Sequence, residues 1–324
     1  MKTNRLLAMM LVIVLIYAAI TLYGDVAKLR LLLSHFAWSS FALSLALALG
    51  NYALRFLKWQ YYLRRLGVRH VPWGESLVIF LSGFVMSVTP AKAGEVFKSA
   101  LLEERHGVPV ARSAPIVVAD RLTDLVSLIA IVAVGGFYFP GGRGPAVAAS
   151  LLVSTLLAFV FSERLGELVL GVMARLPVTA KIVPRAREAY GALRVLAGPS
   201  ALLFPTALSL VAWGLECLAL YLIVGGLGSH ASLPVSCFVY ATATVAGAVA
   251  MLPGGVGGTE MMMISLLQSL TEGAVTQDVA SAATLLVRLA TLWFAVGVGG
   301  LALVYFRARM KGPRAASSTD RGAA

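Results

Sequence analysis

Long apolar runs with almost no charge recur along the chain, and they restrict its fold more than any other feature. A helix needs about 20 mostly apolar residues to cross the hydrocarbon core of a bilayer. The 324 residues are 59% hydrophobic with a mean hydropathy of +0.86, which exceeds the usual range of soluble domains. We therefore predict an all-α polytopic membrane protein. The runs cover 6–23, 36–54, 125–139, 145–161 and 289–306.

Basic residues gather between these runs and predict the topology. Because Lys and Arg are enriched in short cytoplasmic loops, the net charge of +12 indicates topology rather than nucleic-acid binding. We predict an inner-membrane protein with both termini in the cytoplasm, an amphipathic surface segment at 162–198 and a disordered tail at 311–324. The first of three cytoplasmic basic clusters is assigned to Arg55, Lys58, Arg64, Arg65 and Arg69. About six crossing helices are predicted at 6–23, 36–57, 113–139, 145–161, 199–224 and 278–306.

Two further apolar segments, 74–105 and 232–271, break where a crossing would be completed. The first is interrupted from Pro90 to Gly94, and the second at a glycine-rich stretch after Pro253. If either segment crossed fully, the basic residues beyond it would lie on the wrong face. We therefore predict two re-entrant helical hairpins that enter from opposite faces. Irregular backbone at membrane depth is tolerated only where protein or a water-filled cavity covers it, so the tips predict a cavity.

The order of a Pro/Gly break, a glutamate, a helix, an arginine and a glycine pair occurs twice. Glu95 precedes Arg121 by 26 residues, and Glu260 precedes Arg288 by 28. Both arginine-bearing helices end in a glycine pair. We predict one transmembrane domain over 1–310. Its two inverted repeats are predicted at about 1–139 and 145–306, an arrangement that places a transporter's binding site near the midplane.

An ionisable side chain at the centre of a membrane helix costs at least ~2.5 kcal/mol and needs a partner or a function. The sequence supports two roles for Arg121 equally. One is to form a structural cluster with Asp120 and Asp124, and the other is to bind an anion. Arg288 has no acid within four residues, which favours a ligand-binding role beside an interhelical partner. Glu216 is interpreted as the partner of one of these arginines, with a proton relay as the alternative.

Residues of the two tips complete the candidate site. Glu95 and Glu260 begin the returning arms, where a carboxylate also caps a helix N-terminus. Lys92 lies where a cation and free backbone N–H groups together suit a phosphate, and Lys98 either joins it or snorkels to the interface. The paired glycines after Pro253 indicate close packing, because they lack the lysine of a nucleotide-binding loop. The predicted substrate-binding residues are Arg55, Lys92, Glu95, Lys98, Arg121, Asp124, Glu216, Gly254, Gly255, Glu260 and Arg288.

The motifs TPAKAGEVFKS, DRLTDL and LPGGVGGTE, with Arg55 and Trp59 in the second helix, carry a resemblance that spans nearly the whole chain. Together they resemble the flippase-like integral membrane family that includes the transmembrane region of lysylphosphatidylglycerol synthase. The resemblance implies a unit that moves lipids or lipid-linked glycans between leaflets. Some members carry a C-terminal soluble aminoacyl-transferase domain. This sequence lacks one, so synthase activity is not expected.

The leading functional hypothesis is a translocase for an anionic or prenyl-phosphate lipid headgroup, without a metal or another cofactor. No nucleotide-binding motif is present, so a proton carried by Asp124 or Glu216, or lipid consumption on the far side, would supply energy. An intramembrane headgroup transferase is one alternative, although no nucleophile or metal cluster supports it. A non-transporting assembly factor is the other. The lipid, the direction and the choice between monomer and homodimer stay open.

Overall fold

The computed structural model of the chain describes residues 26–89, 95–138, 183–250 and 253–310, with scattered positions between 144 and 175. All regular structure in these residues is helical, which confirms the all-α fold class. The predicted helix at 6–23, most of that at 145–161 and the tail at 311–324 lie outside the described residues. The described helices are α1 Val26–Ser34, α2 Trp38–Arg65, α3 Trp73–Ser82, α4 Phe97–His106, α5 Val110–Ser113, α6 Pro115–Tyr138, α7 Val183–Ala197, α8 Pro199–Gly226, α9 Leu233–Val249, α10 Gly258–Leu270, α11 Gln277–Arg288 and α12 Phe294–Arg309.

Three of the described helices are long and apolar enough to cross a membrane. They are α2, the Ala201–Gly226 part of α8, and the continuous helix Gln277–Arg309 that α11 and α12 form together. On their outer surfaces, Leu203 and Leu301 are each 76% exposed, as expected for side chains that face lipid. These features agree with an integral membrane protein.

The buried apolar side chains form two clusters. The first contains Trp59 of α2, Phe80 of α3 and Phe306 of α12. The second contains Leu220 of α8 and Val239 of α9. The two clusters hold different sets of helices together.

Helices α2 and α8 pack along most of their length in opposite directions. The amide Nδ2 of Asn51 donates a hydrogen bond to the carbonyl of Ala212 over 2.9 Å. Further along α2, the ring of Tyr61 lies 5.3 Å from that of Phe204. Residue numbers rise along α2 while those of its partners fall along α8, so the C-terminal ends of the two helices lie at opposite ends of the molecule.

The first broken segment starts at the C-terminal end of α2 and returns to it. Helix α3 continues as the 3-10 helix Gly83–Val88, and α4 returns beside it. Arg105 near the end of α4 bonds Glu75 near the start of α3 over 2.9 Å. Beyond α4, the guanidinium of Arg112 donates to the carbonyl of Leu66 over 2.5 Å. Both ends of this segment therefore lie together.

The second broken segment, α9 and α10, is closed in the same way at the C-terminal end of α8. The hydroxyl of Ser229, before α9, donates to the carbonyl of Ala274, after α10, over 2.7 Å. Because α2 and α8 are antiparallel, the two segments begin at opposite ends of the molecule. Their tips meet, since a Cβ built on Gly254 would lie 3.5 Å from the Cα of Val88.

Each helix that follows a broken segment packs against the first arm of the other segment. A Cβ on Gly135 of α6 would lie 2.6 Å from the ring of Phe238 in α9. A Cβ on Gly299 of α12 would lie 2.6 Å from the backbone nitrogen of Val85. The first glycine of each predicted pair thus allows a close helix contact that any side chain would prevent.

Candidate functional site

A cavity of about 340 Å³ lies beside the two tips. Ser87 and Thr89 reach it from the first broken segment, and Thr244 and Thr259 from the second. Two other predicted site residues, Lys98 and Glu260, are buried and do not line it, and Lys92 lies outside the described residues. Eight of the eleven predicted residues line it: Arg55, Glu95, Arg121, Asp124, Glu216, Gly254, Gly255 and Arg288.

Two aspartates on one face of α6 meet two cations of α2. Lys58 Nζ lies 2.7 Å from Asp120 Oδ1 and 2.9 Å from Asp124 Oδ1. Arg55 Nη2 lies 3.1 Å from Asp120 and 3.4 Å from Asp124. Ser209 of α8 completes the arrangement, because it accepts a hydrogen bond from Lys58 and donates one to Asp124.

Arg121 links this cluster to the tip of the first broken segment. Its Nη2 lies 2.9 Å from Glu95 Oε2 and 3.2 Å from Asp120 Oδ2. The predicted contact with Asp124 is present at 3.4 Å. Lys98 adds a weaker ion pair to Glu95 at 3.6 Å, and its ammonium lies over the rings of the first apolar cluster. The tip glutamate is thus bound to the helix that follows it.

These contacts form one ionic network, here called the α2–α6 cluster, in which Arg121 is half-buried and the other members are buried. Among the described residues it contains one more cation than carboxylates, so their formal charge is +1. Such groups are stable in an apolar interior only when nearly every charge has a close partner of opposite sign. The cations are Arg55, Lys58, Lys98 and Arg121, and the carboxylates are Glu95, Asp120 and Asp124.

Arg288 occupies the corresponding place at the second tip. Its Nε donates to Glu260 Oε1 over 2.7 Å, and its Nη2 donates to the carbonyl of Gly254 over 2.5 Å. The other carboxylate oxygen of Glu260 accepts from the backbone nitrogen of Gly257 over 2.7 Å, which caps α10 as the sequence predicts. The interhelical partner that Arg288 requires is therefore the glutamate 28 residues before it.

A π-helical turn, Leu289–Trp293, directly follows Arg288. Such turns are frequent at functional sites because they change the direction of side chains within an otherwise regular helix. Here the turn brings Thr291 into the cavity wall. Thr291 Oγ1 lies 3.4 Å from the hydroxyl of Tyr240, which donates a hydrogen bond of 2.6 Å to Glu216.

The placement of Arg55 and Lys58 in a basic loop between apolar runs is wrong, as is the end of the second helix near residue 57. Both side chains lie inside α2, which continues to Arg65, and Lys58 is fully buried. The charges do not end the helix, because the aspartates of α6 compensate them. Two cations three residues apart on α2 and two aspartates four residues apart on α6 each lie on one face of their helix. This matched spacing was the signal that could have identified the pairing.

The chain belongs to the family described as "Lysylphosphatidylglycerol synthase TM region", whose model matches residues 6–299. This match confirms the family predicted from the sequence motifs. Two curated relatives from Methanothermobacter thermautotrophicus are each described as a "UPF0104 membrane protein". One is 26% identical over 246 residues, which is 68% of this chain and 72% of the relative. The other is 23% identical over 285 residues, 82% of each chain.

Proposed function

We propose that this member of the family translocates a phosphate-bearing lipid headgroup between leaflets through the cavity beside the two tips. The observation that carries the proposal is the convergence of three arginines on one cavity between long apolar helices, where three carboxylates also line the wall. Arg55, Arg121 and Arg288 all reach the cavity wall. Guanidinium groups bind phosphate strongly and with defined geometry. The acyl or prenyl chain would stay in the surrounding lipid.

The proposed path requires that the two broken segments be re-entrant hairpins in an inverted repeat. Two hydrogen bonds support this arrangement, because Arg112–Leu66 and Ser229–Ala274 each bring a segment back to the end where it began. An α-helix rises about 1.5 Å per residue, so the 10 residues of α4 extend about 15 Å, half of the hydrocarbon thickness. Alternating access would follow from rocking one repeat against the other.

Cysteine labelling tests the topology. The two native cysteines are replaced by alanine, and single cysteines are then placed before and after each segment, at three exposed positions and at the half-buried position 111. Re-entrant hairpins predict that a membrane-impermeant maleimide labels 69 and 111 from the cytoplasm and 230 and 277 from outside. Labelling 69 and 111 from opposite faces would reject the re-entrant first segment. The introduced cysteines replace Arg69, Ala111, His230 and Gln277.

Reconstitution tests the function itself. Proteoliposomes contain headgroup-labelled phosphatidylglycerol, a labelled zwitterionic phospholipid or a labelled prenyl phosphate, and a membrane-impermeant quencher reports exchange between leaflets. We expect exchange of at least one of these lipids to be faster than in protein-free liposomes. A suitable control is Arg105→Gln, which breaks an ion pair with Glu75 outside the cavity. Exchange at the protein-free rate for all lipids would reject the proposal.

A non-transporting assembly factor remains the second candidate, because the described buried network is balanced without any ligand. The α2–α6 cluster has a charge of +1, and Arg288 with Glu216 and Glu260 has a charge of −1, so the total is zero. In that case the arginines would serve stability alone. Arg288→Gln would then lower the melting temperature and leave cellular function intact, whereas a translocase would lose its activity.

A further inference from the structure

The three arginines of the cavity differ in how far their charges are compensated. Arg121 lies within 3.4 Å of the carboxylates of Glu95, Asp120 and Asp124. Arg55 lies within 3.4 Å of both aspartates. An anion that approached either residue would meet several carboxylates around it. These two arginines are therefore poor primary binding groups for a phosphate.

Among the described residues, Arg288 forms an ion pair with one carboxylate, that of Glu260, while Glu216 lines the same cavity and accepts a hydrogen bond from Tyr240. Its Nε and Nη2 bond Glu260 and the carbonyl of Gly254, and no acceptor among the described residues receives a hydrogen bond from Nη1. The residue is 8% exposed and lines the cavity.

Within the described part of the chain, Arg55 and Arg121 also each have an unpartnered Nε, so Arg288 differs from them in having a single carboxylate partner. A buried guanidinium with one carboxylate partner and an available nitrogen beside a cavity is the group that an incoming phosphate would bind.

Two features beside Arg288 suit a phosphate, a helix N-terminus and the size of the cavity, while Glu216 in the same lining opposes it. Thr259, in the first turn of the 13-residue helix α10, lines the same wall. The N-terminus of a helix carries a partial positive charge and is a common binding site for phosphate. The cavity volume of about 340 Å³ lies at the lower end of the range for small-molecule sites. A compact phosphate-bearing headgroup fits it better than a large glycan.

We propose that Arg288 is the primary phosphate-binding residue of the cavity, and that Glu260 holds its guanidinium while no phosphate is bound. This inference rests on the proposed function and assigns its headgroup site. A phosphate would take over hydrogen bonds that Glu260 and Gly254 now accept. Because Gly254 belongs to the tip of the second broken segment, the exchange would release that tip from α11. Binding of the headgroup would thereby be coupled to movement of the tip.

Binding measurements on the full chain in maltoside micelles test the assignment, because these micelles contain no phosphate. Inorganic phosphate, glycerol 3-phosphate and dioctanoyl phosphatidylglycerol are titrated separately by calorimetry. Binding of the lipid alone would identify a lipid headgroup site, and binding of all three a general phosphate site. In either case, Arg288→Gln should weaken binding at least about tenfold, which corresponds to about 1.4 kcal/mol.

The variant Glu260→Gln is expected to affect phosphate binding in the direction opposite to Arg288→Gln, which makes it the decisive test. The amide oxygen can still accept from Gly257, while the charge that competes with phosphate for Arg288 is lost. We expect tighter binding than in the wild type, whereas a purely structural ion pair would give equal or weaker binding. Arg105→Gln, which breaks a matched pair outside the cavity, should bind as the wild type does. If Arg288→Gln does not fold, Arg288→Lys and Glu260→Gln keep the test valid.

The assignment is overturned if Arg288→Gln binds as tightly as the wild type, if Glu260→Gln does not bind more tightly, or if the wild type binds none of the three compounds. The liposome assay separates this failure from that of the proposed function. A wild type that binds phosphate compounds but exchanges no lipid rejects translocation and keeps the site. A wild type that exchanges lipid as fast as Arg288→Gln rejects the site and keeps translocation.

Discussion

Replacing Asp120 with asparagine should destabilise the protein more than replacing its partner Lys58 with methionine. The carboxylate of Asp120 meets three cations, at 2.7 Å from Lys58, 3.1 Å from Arg55 and 3.2 Å from Arg121. The α2–α6 cluster has an excess of one positive charge. Asp120→Asn raises this excess to two, while Lys58→Met removes it.

The magnitudes follow from this difference in charge. Removing one partner from a buried ionic network leaves charge uncompensated and costs about 3–5 kcal/mol, which we expect for Asp120→Asn. After Lys58→Met, both aspartates keep their contacts with Arg55 and Arg121. The free energy of unfolding then falls only by the value of one buried hydrogen-bond partner, about 1–3 kcal/mol. The double variant returns the excess to one, so its effect should fall short of the sum by about 0.5–3 kcal/mol.

Unfolding by sodium dodecyl sulfate titration in mixed micelles measures these free energies, with tryptophan fluorescence as the signal. The four proteins of the cycle are compared at one detergent and lipid composition. Ser209→Ala is a control of similar depth, because it removes a hydroxyl that bonds Lys58 and Asp124 without changing any charge. Additive effects, or a greater loss for Lys58→Met than for Asp120→Asn, would refute the argument from charge balance.

Two further predictions concern packing and coupling. Gly299→Ala should destabilise the protein by about 1–3 kcal/mol, because its Cβ would meet the backbone of Val85, whereas Gly300→Ala has open space and should be neutral or slightly stabilising in the same titration. Glu216→Gln should keep the hydrogen bond from Tyr240, and hence the fold, but lose any acceleration of lipid exchange by an imposed proton gradient. Equal acceleration in this variant and the wild type would exclude Glu216 as the proton carrier.

Much of the candidate site could be predicted because its residues repeat in a fixed order. The glutamate of each tip pairs with the arginine 26 or 28 residues later, and the first glycine of each pair lies at a close contact. These relations are local to one half of the chain, so spacing alone can indicate them. The burial of the Lys58 side chain could not be predicted from spacing. A basic residue near the end of an apolar run resembles a loop residue until its partners on another helix are known.

The two halves of the site differ in charge, and this difference bears on how a translocase would work. Arg55 and Glu216 occupy the same position in the two 28-residue helices α2 and α8, since each lies 17 residues beyond the first residue. Counted over the residues that the structure describes, the first half carries +1, and the second, with Arg288 against Glu216 and Glu260, carries −1. If the proposed repeat holds, two halves of equal charge would make the inward- and outward-facing states similar in energy. Opposite charges make them unequal, so the empty protein should favour one orientation and a bound phosphate should shift that preference.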